Sequence, residues 1–192
     1  MDSIPVSGTR TEKNLVHAFI IKSQNVTKYE YFAKQAKKEG YEQMSAITLE
    51  VAEQQKNHAK TLFRFLEDCQ CKAPVQLNFG PIGNTPENLK DAIKSETEIL
   101  DLLQETARIA WDEGFKRVST RIKLFRQISE SYIEKFSRLE INIAEDKVFR
   151  KDKKVKWICR KCGLIYEGEK ALKNCPGCEH PQAYFEVMAE NY

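Results

Sequence analysis

Long apolar runs are missing from this 192-residue chain, and none approaches the roughly eighteen residues that a membrane-spanning helix needs. Nothing in it resembles a secretory signal. A cytoplasmic protein with no membrane partner is therefore expected. Charge of one sign is lacking too: 31 basic and 28 acidic residues are spread along the chain and leave a net +3. That balance does not point to nucleic acid as a partner. The only local basic run, Arg150 to Lys156, reads as a solvated linker. Glycine (8) and proline (6) are scarce, so each breaker carries information.

The breakers divide the chain simply. Gly40 and Gly114 each end a long helical pattern, and a Pro/Gly-rich stretch runs from Pro74 to Pro86. From Val148 onward the periodic pattern gives way to a Cys/Gly/Pro-rich tail. The spacing predicts helices over 11–39, 41–68, 85–113 and 115–145, with a small metal domain from about 153. Apolar and small residues recur at bundle-like spacing in each. They are Leu15, Phe19, Val26, Tyr29, Ala33 and Ala36 in the first helix, and Met44, Ile47, Val51, Leu62 and Phe65 in the second. The third gives Leu89, Ile93, Leu100, Leu103, Ala107 and Ala110; the fourth gives Val118, Ile122, Phe125, Phe136, Leu139 and Ile143. Short turns at the two glycines make two antiparallel hairpins, and 69–84 is long enough to cross the bundle. The hairpins look like copies: Ala36-Lys37-Lys38-Glu39-Gly40-Tyr41 matches Ala110-Trp111-Asp112-Glu113-Gly114-Phe115 at an offset of 74.

Four of the six cysteines form two CxxC pairs, Cys159/Cys162 and Cys175/Cys178, separated by twelve residues. Without a secretory signal this arrangement favours a metal over disulfides. Each CxxC turns back so that both sulfurs face one point, and small residues in or after the turn let backbone N–H groups approach them. Two such knuckles form an S4 cage that suits zinc or iron. A zinc ribbon would only fold the tail. Trp157, Ile165, Tyr166, Tyr184 and Phe185 are expected to wall the site, and a dry shell of this kind favours iron. Cys69 and Cys71 read as two surface thiols.

The segment from Trp157 to Glu186, including His180-Pro181-Gln182-Ala183-Tyr184-Phe185-Glu186, resembles the rubredoxin-like domain of rubrerythrins. Gly80-Pro81-Ile82-Gly83, Glu87-Asn88-Leu89 and the Ala-x-x-Glu-Gly-aromatic turns resemble the same family. The resemblance covers nearly the whole chain. It implies a mainly α protein: a ferritin-like antiparallel four-helix bundle with a long crossover (1–147), then a small β-rich rubredoxin-like domain (153–192). It also implies one iron per chain in the tetracysteine site, with zinc as a possible substitute. A head-to-tail homodimer, a redox partner that donates electrons and a link to oxidative-stress defence follow from the same resemblance.

Proteins of this family carry a di-iron site midway along the bundle, built from one Glu on each of two helices and a Glu-x-x-His on each of the other two. In this chain the core stripes are interrupted by Lys22, by Gln55 and His58, by Glu96, and by Ser129 and Tyr132. These six pair at the hairpin offset: Lys22 with Glu96, Gln55 with Ser129, His58 with Tyr132. Only His58 and Glu96 are of the family's ligand type. Lys22 stands in Phe19-Ile20-Ile21-Lys22-Ser23-Gln24 where the resemblance implies a glutamate, and the family's further helix-3 glutamate falls at or near Ile99, beside Glu98. Helical phase puts Glu53, Glu130 and Glu134 off the face of Gln55, Ser129 and Tyr132. The expectation is a Lys/Glu pair completed by a neutral hydrogen-bond network, no di-iron centre, and electron transfer at the tetracysteine iron. The alternatives are a peroxide reductase of the family's NADH-linked kind with an altered di-metal site, and a zinc-loaded structural or regulatory protein. His17 is expected on the surface, and His180 is expected to support the small domain without ligating metal.

Overall fold

The computed structural model describes residues 6–67, 69–70 and 80–190. Four helices come first: α1 (Arg10–Lys38), α2 (Glu42–Phe65), α3 (Thr85–Asp112) and α4 (Lys116–Ala144). α1 packs along α2 and α3 along α4, and α1 faces α3 across the bundle. Strands β1 (Arg150–Cys159), β2 (Ile165–Lys170) and β3 (Phe185–Val187) follow, forming an antiparallel sheet in the order β2-β1-β3. The basic run expected as a linker is therefore most of β1. Its side chains stay largely solvated while its backbone pairs with β2; β3 pairs with the following Trp157, Ile158 and Cys159. The crossover expected over 69–84 lies mostly outside the described residues, as does Cys71. Cys69 is half-buried against the core cluster that holds Leu62 and Leu103; it is not a surface thiol.

Hairpin turns explain why two copies of one motif give one bundle. Gly40 (φ 84°) and Gly114 (φ 87°) take the left-handed conformation that a Cβ disfavours. The next residues bond back into the helix, Tyr41 N to Ala36 O at 2.9 Å and Phe115 N to Ala110 O at 2.7 Å, the pattern that closes helix C-termini. The glutamate before each glycine then crosses to the other hairpin. Glu39 accepts from Thr85 N (2.9 Å) and Oγ1 (2.6 Å), and Glu113 accepts from Thr11 N (3.0 Å) and Oγ1 (2.7 Å). Thr11 and Thr85, like Glu39 and Glu113, stand 74 residues apart. Each hairpin thus satisfies orphan N–H donors at the start of the other, and these bonds hold both carboxylates below the usual range against the opposing effect of desolvation, the largest single influence on each.

Inside the bundle are two apolar clusters. One holds Leu15, Leu62, Leu103, Ile122 and Phe125; the other holds Tyr29, Phe32, Met44, Leu89 and Phe136. Of the expected stripe residues, Phe19, Val26, Ile47, Phe65, Ile93, Leu100 and Ile143 are only half-buried. In their stead Ala18, Asn25 and Ile99 turn fully inward. Between the clusters lie Lys22, Asn25, Gln55, Glu96 and Ser129, each at most 1% exposed. The sheet domain meets the bundle at the α1–α2 turn, where Tyr41 stacks on Phe149 with ring centroids 6.4 Å apart. A Cβ at Gly40 would lie 3.6 Å from that of Ala183.

Candidate metal centre and the buried polar layer

Both cysteine knuckles are built alike. In the first, Gly163 N bonds to Cys159 O (2.8 Å) and Cys159 N to Leu164 O (2.9 Å); in the second, Glu179 N bonds to Cys175 O (2.8 Å) and Cys175 N to His180 O (2.8 Å). The residue four beyond each first cysteine takes a positive φ, 77° at Gly163 and 61° at Glu179. The second turn therefore uses a glutamate in a conformation that costs a non-glycine residue about 1–3 kcal/mol. Gly177 serves a different need. A Cβ there would sit 3.4 Å from Cys162 Sγ, so glycine lets one knuckle close against the other's sulfur.

The four Sγ atoms lie within 4.8 Å of one another. Cys159 and Cys178 are 3.8 Å apart, and Cys162 and Cys175 3.5 Å. A tetrahedron of ~2.3 Å metal–sulfur bonds has an edge of ~3.8 Å, so the donor set fits one thiophilic ion. Backbone N–H groups of Leu164, Gly177 and His180 bond to Cys162, Cys175 and Cys178 sulfurs. Trp157 (Nε1–H to Gly168 O, 2.9 Å) and Phe185 are buried against Cys159 and Cys175. Tyr184 and Leu164 pack beside them. Ile165 and Tyr166, expected as walls, are 51% and 37% exposed. They are neighbours on β2 and so lie on its two opposite faces, both open to solvent; the only buried residue of the strand is Gly168. His180 Nδ1 meets Cys178 O at 2.9 Å, and its ring sits edge-on to Tyr184, a supporting role.

At the bundle centre, Lys22 Nζ donates to Glu96 Oε2 (3.1 Å) and to Ser129 Oγ (2.9 Å). Glu96 Oε1 accepts from Asn25 Nδ2 (3.0 Å), from Tyr29 OH (2.7 Å) and from Gln55 Nε2. Ser95 Oγ bonds Asn25 Oδ1 at 2.9 Å. Asn25, Ser95 and the Tyr29 hydroxyl were missed from sequence. Asn25 lies one turn beyond Lys22 and Tyr29 one turn further, a spacing that places them on the same stripe, so the signal was present. Burial pushes the Lys22 ammonium down, and Glu96 offsets part of that. Burial also pushes the Tyr29 phenol well up, and the neighbouring carboxylate adds to it.

His58 and Tyr132 flank this network without a hydrogen bond into it among the described residues. The expected neutral network therefore holds for Gln55 and Ser129 only. His58 packs on Phe125 and Tyr132 with ring centroids 4.4 and 6.2 Å away, and its Nδ1 has no hydrogen-bond partner among the described residues. Burial, and then the Lys22 charge, push its pKa down to about 4. Glu53, Glu98 and Glu134 point outward, and Glu98, Glu130 and Glu134 pair with Lys94, Arg126 and Arg138. Ile99 is fully buried among apolar side chains, and His17 is exposed as expected. Among the described residues, the four cysteines form the only group of three or more His, Cys, Asp or Glu side chains able to meet at one ion.

Comparison with known proteins now places the chain. Residues 13–78 match the family model described as rubrerythrin, and residues 157–186 the one described as rubrerythrin, rubredoxin-like domain. "Rubrerythrin-1" of Clostridium acetobutylicum is 43% identical over 97% of this chain and 98% of its own length. The chain belongs to the rubrerythrin family. A rubrerythrin of Porphyromonas gingivalis is 39% identical over 97% of this chain and 94% of its own. Among solved structures, mixed-valence nigerythrin superposes with a TM-score of 0.62 at 21% identity, covering 98% of this chain and 91% of that one. Mycobacterium tuberculosis bacterioferritin BfrA gives 0.63 at 14% identity, covering 72% and 89%. These likenesses show the ferritin-like fold, and the family together with the four-sulfur site supports a rubrerythrin-type iron protein. No helix is long and apolar enough to cross a membrane among the described residues.

Proposed function

We propose that this rubrerythrin-family protein transfers single electrons through a mononuclear iron held by Cys159, Cys162, Cys175 and Cys178, and that its bundle is a scaffold without a di-iron reactor. When bound, that iron would supply a one-electron couple between ferric and ferrous states. The protein's part is to hold four thiolates at fixed spacing, to aim N–H donors at the sulfurs, and to keep water from one side with Trp157 and Phe185. Each of these tunes the potential of a thiolate-bound iron.

The observation that carries the second half is the buried Lys22 ammonium, 3.1 Å from Glu96. Two irons bring a charge of about four or more into a dry site and need several carboxylates to offset it. Here one carboxylate is already matched by one ammonium, and the opposite positions are the neutral Gln55 and Ser129. The donor set does not fit two irons. In keeping with the family, we further propose a cytoplasmic head-to-tail homodimer served by a separate electron donor and linked to oxidative-stress defence.

Metal analysis with a visible spectrum tests the reading. About one iron per chain with thiolate-to-iron charge-transfer bands is expected. About three irons with added oxo-bridge absorption, or peroxide turnover faster than that of an isolated tetracysteine iron domain, would establish the peroxidase instead. A colourless zinc protein would establish the structural role.

A further inference from the structure

We propose that the groove between α2 and α4, on the flank of the buried polar layer, binds a small hydroxycarboxylate, an organic acid with one carboxylate and one hydroxyl. This does not depend on the electron-transfer reading.

The groove has a volume of about 420 Å³ and is lined by Gln54, Asn57 and His58 from α2 and by Ile128, Ser131, Tyr132 and Lys135 from α4. Ligand clefts typically run to roughly 300–1,000 Å³, with a few polar groups on a partly apolar wall to fix orientation. Three polar groups here are unmatched among the described residues. His58 is 8% exposed, and its Nδ1 has no hydrogen-bond partner. Tyr132 is 2% exposed, and its hydroxyl makes no hydrogen bond. Lys135 is half-buried and has no ion pair. Polar groups withdrawn from water cost free energy until something pairs with them.

Their chemistry selects the ligand. Lys135 is the only cation lining the groove, and burial, then the Lys22 charge, keep His58 neutral near pH 7. One negative charge is therefore called for. The acids close by do not supply it: Glu53, Glu130 and Glu134 pair with Lys56, Arg126 and Arg138, and Glu50 accepts from Gln54 Nε2 at 3.0 Å. Tyr132 and Lys135 stand one turn apart on α4, so a hydroxyl and an ammonium can donate to the same carboxylate. The rest of the lining asks for a donor. Gln54 donates to Glu50, Asn57 Nδ2 to Glu53 O (2.9 Å) and Ser131 Oγ to Ile128 O (2.7 Å), each within its own helix. Their oxygens remain as acceptors, which a bare carboxylate cannot satisfy and a ligand hydroxyl can.

Isothermal titration calorimetry of the full-length protein, as purified with its metal, tests this with lactate and mandelate. Both should bind with one site per chain. Propionate, which lacks the hydroxyl, and lactamide, which lacks the charge, should bind about tenfold more weakly or not at all. Lys135→Met and Tyr132→Phe keep side-chain bulk and should each weaken lactate binding about tenfold, with helical circular dichroism unchanged. Lactate should also shift the imidazole NMR resonances of His58. No binding of either hydroxycarboxylate overturns the proposal. So does lactate binding that survives both substitutions. Equal binding of lactate, propionate and inorganic phosphate overturns it as well, by marking a site for any anion.

Discussion

The two buried sites of this protein handle charge in opposite ways. In the sheet domain four cysteine sulfurs converge within 4.8 Å of one another, and thiolates so placed leave their negative charge for an ion to match. At the bundle centre the Lys22 ammonium is part of the chain: it donates to Glu96 and Ser129, and Asn25, Tyr29 and Gln55 donate to the same carboxylate. A domain of about forty residues with a small apolar cluster draws much of its stability from its metal. The bundle has two apolar clusters of its own.

The largest effect that would break the comparison is at the cysteines. Cys175→Ser or Cys162→Ser should remove the iron spectrum and unfold the sheet domain, since structural metal binding can contribute about 10 kcal/mol or more. Helical circular dichroism should persist. Its loss at room temperature would mean that the two regions do not fold separately.

The buried pair comes next. Lys22→Met or Glu96→Leu alone orphans a charge and should cost about 3–5 kcal/mol of bundle stability in denaturant titration. The double variant leaves no orphan and should be more stable than either single one; plain additivity would end the paired-charge account. Lys22→Glu, Gln55→Glu, Ser129→Glu and Tyr132→His together should instead draw in iron beyond the cysteine site, turning one kind of region into the other.

His58 sharpens the contrast through pH. Its folded pKa of about 4 lies below the ordinary 6.5, so between those values the unfolded chain binds the extra proton. Stability is full above about pH 6.5 and falls as pH drops towards 4, by about 3 kcal/mol in all. The charged and titratable groups around the ring are Lys22, Glu96 and Tyr132. His58→Phe should flatten this part of the stability–pH curve; an unchanged slope would place the titration elsewhere.

The smallest effect tests the hairpin symmetry. Glu39→Ala and Glu113→Ala each remove a cross-hairpin cap and should cost about 0.5–2 kcal/mol, by nearly equal amounts. A loss confined to one of them would show that the two copies have diverged in stability.

Most of the scaffold was legible in the sequence, because its signals are local. Helix periodicity, Gly40 and Gly114 at the turns, and the CxxC spacing each act within a few residues. Lys22, Gln55, Glu96 and Ser129 were legible because duplication repeats at a fixed offset, whereas His58 and Tyr132, at the same offset, flank the layer without a hydrogen bond into it among the described residues. Cross-chain geometry was not. That Glu39 and Glu113 cap the opposite hairpin depends on where two helix starts fall in space. Ile165 and Tyr166 lie on opposite faces of β2 and are both exposed, so neither face of the strand is covered there, and nothing within the strand itself signals that.

By itself, then, the sequence determined the two kinds of site: thiolates spaced to meet at an ion, and a lysine and a glutamate 74 residues apart that interrupt matching apolar stripes. Only the tertiary structure decided what that lysine does. It folds Asn25, Tyr29, Gln55, Glu96 and Ser129 from four helices onto one ammonium–carboxylate pair, and burial without water gives those contacts their strength.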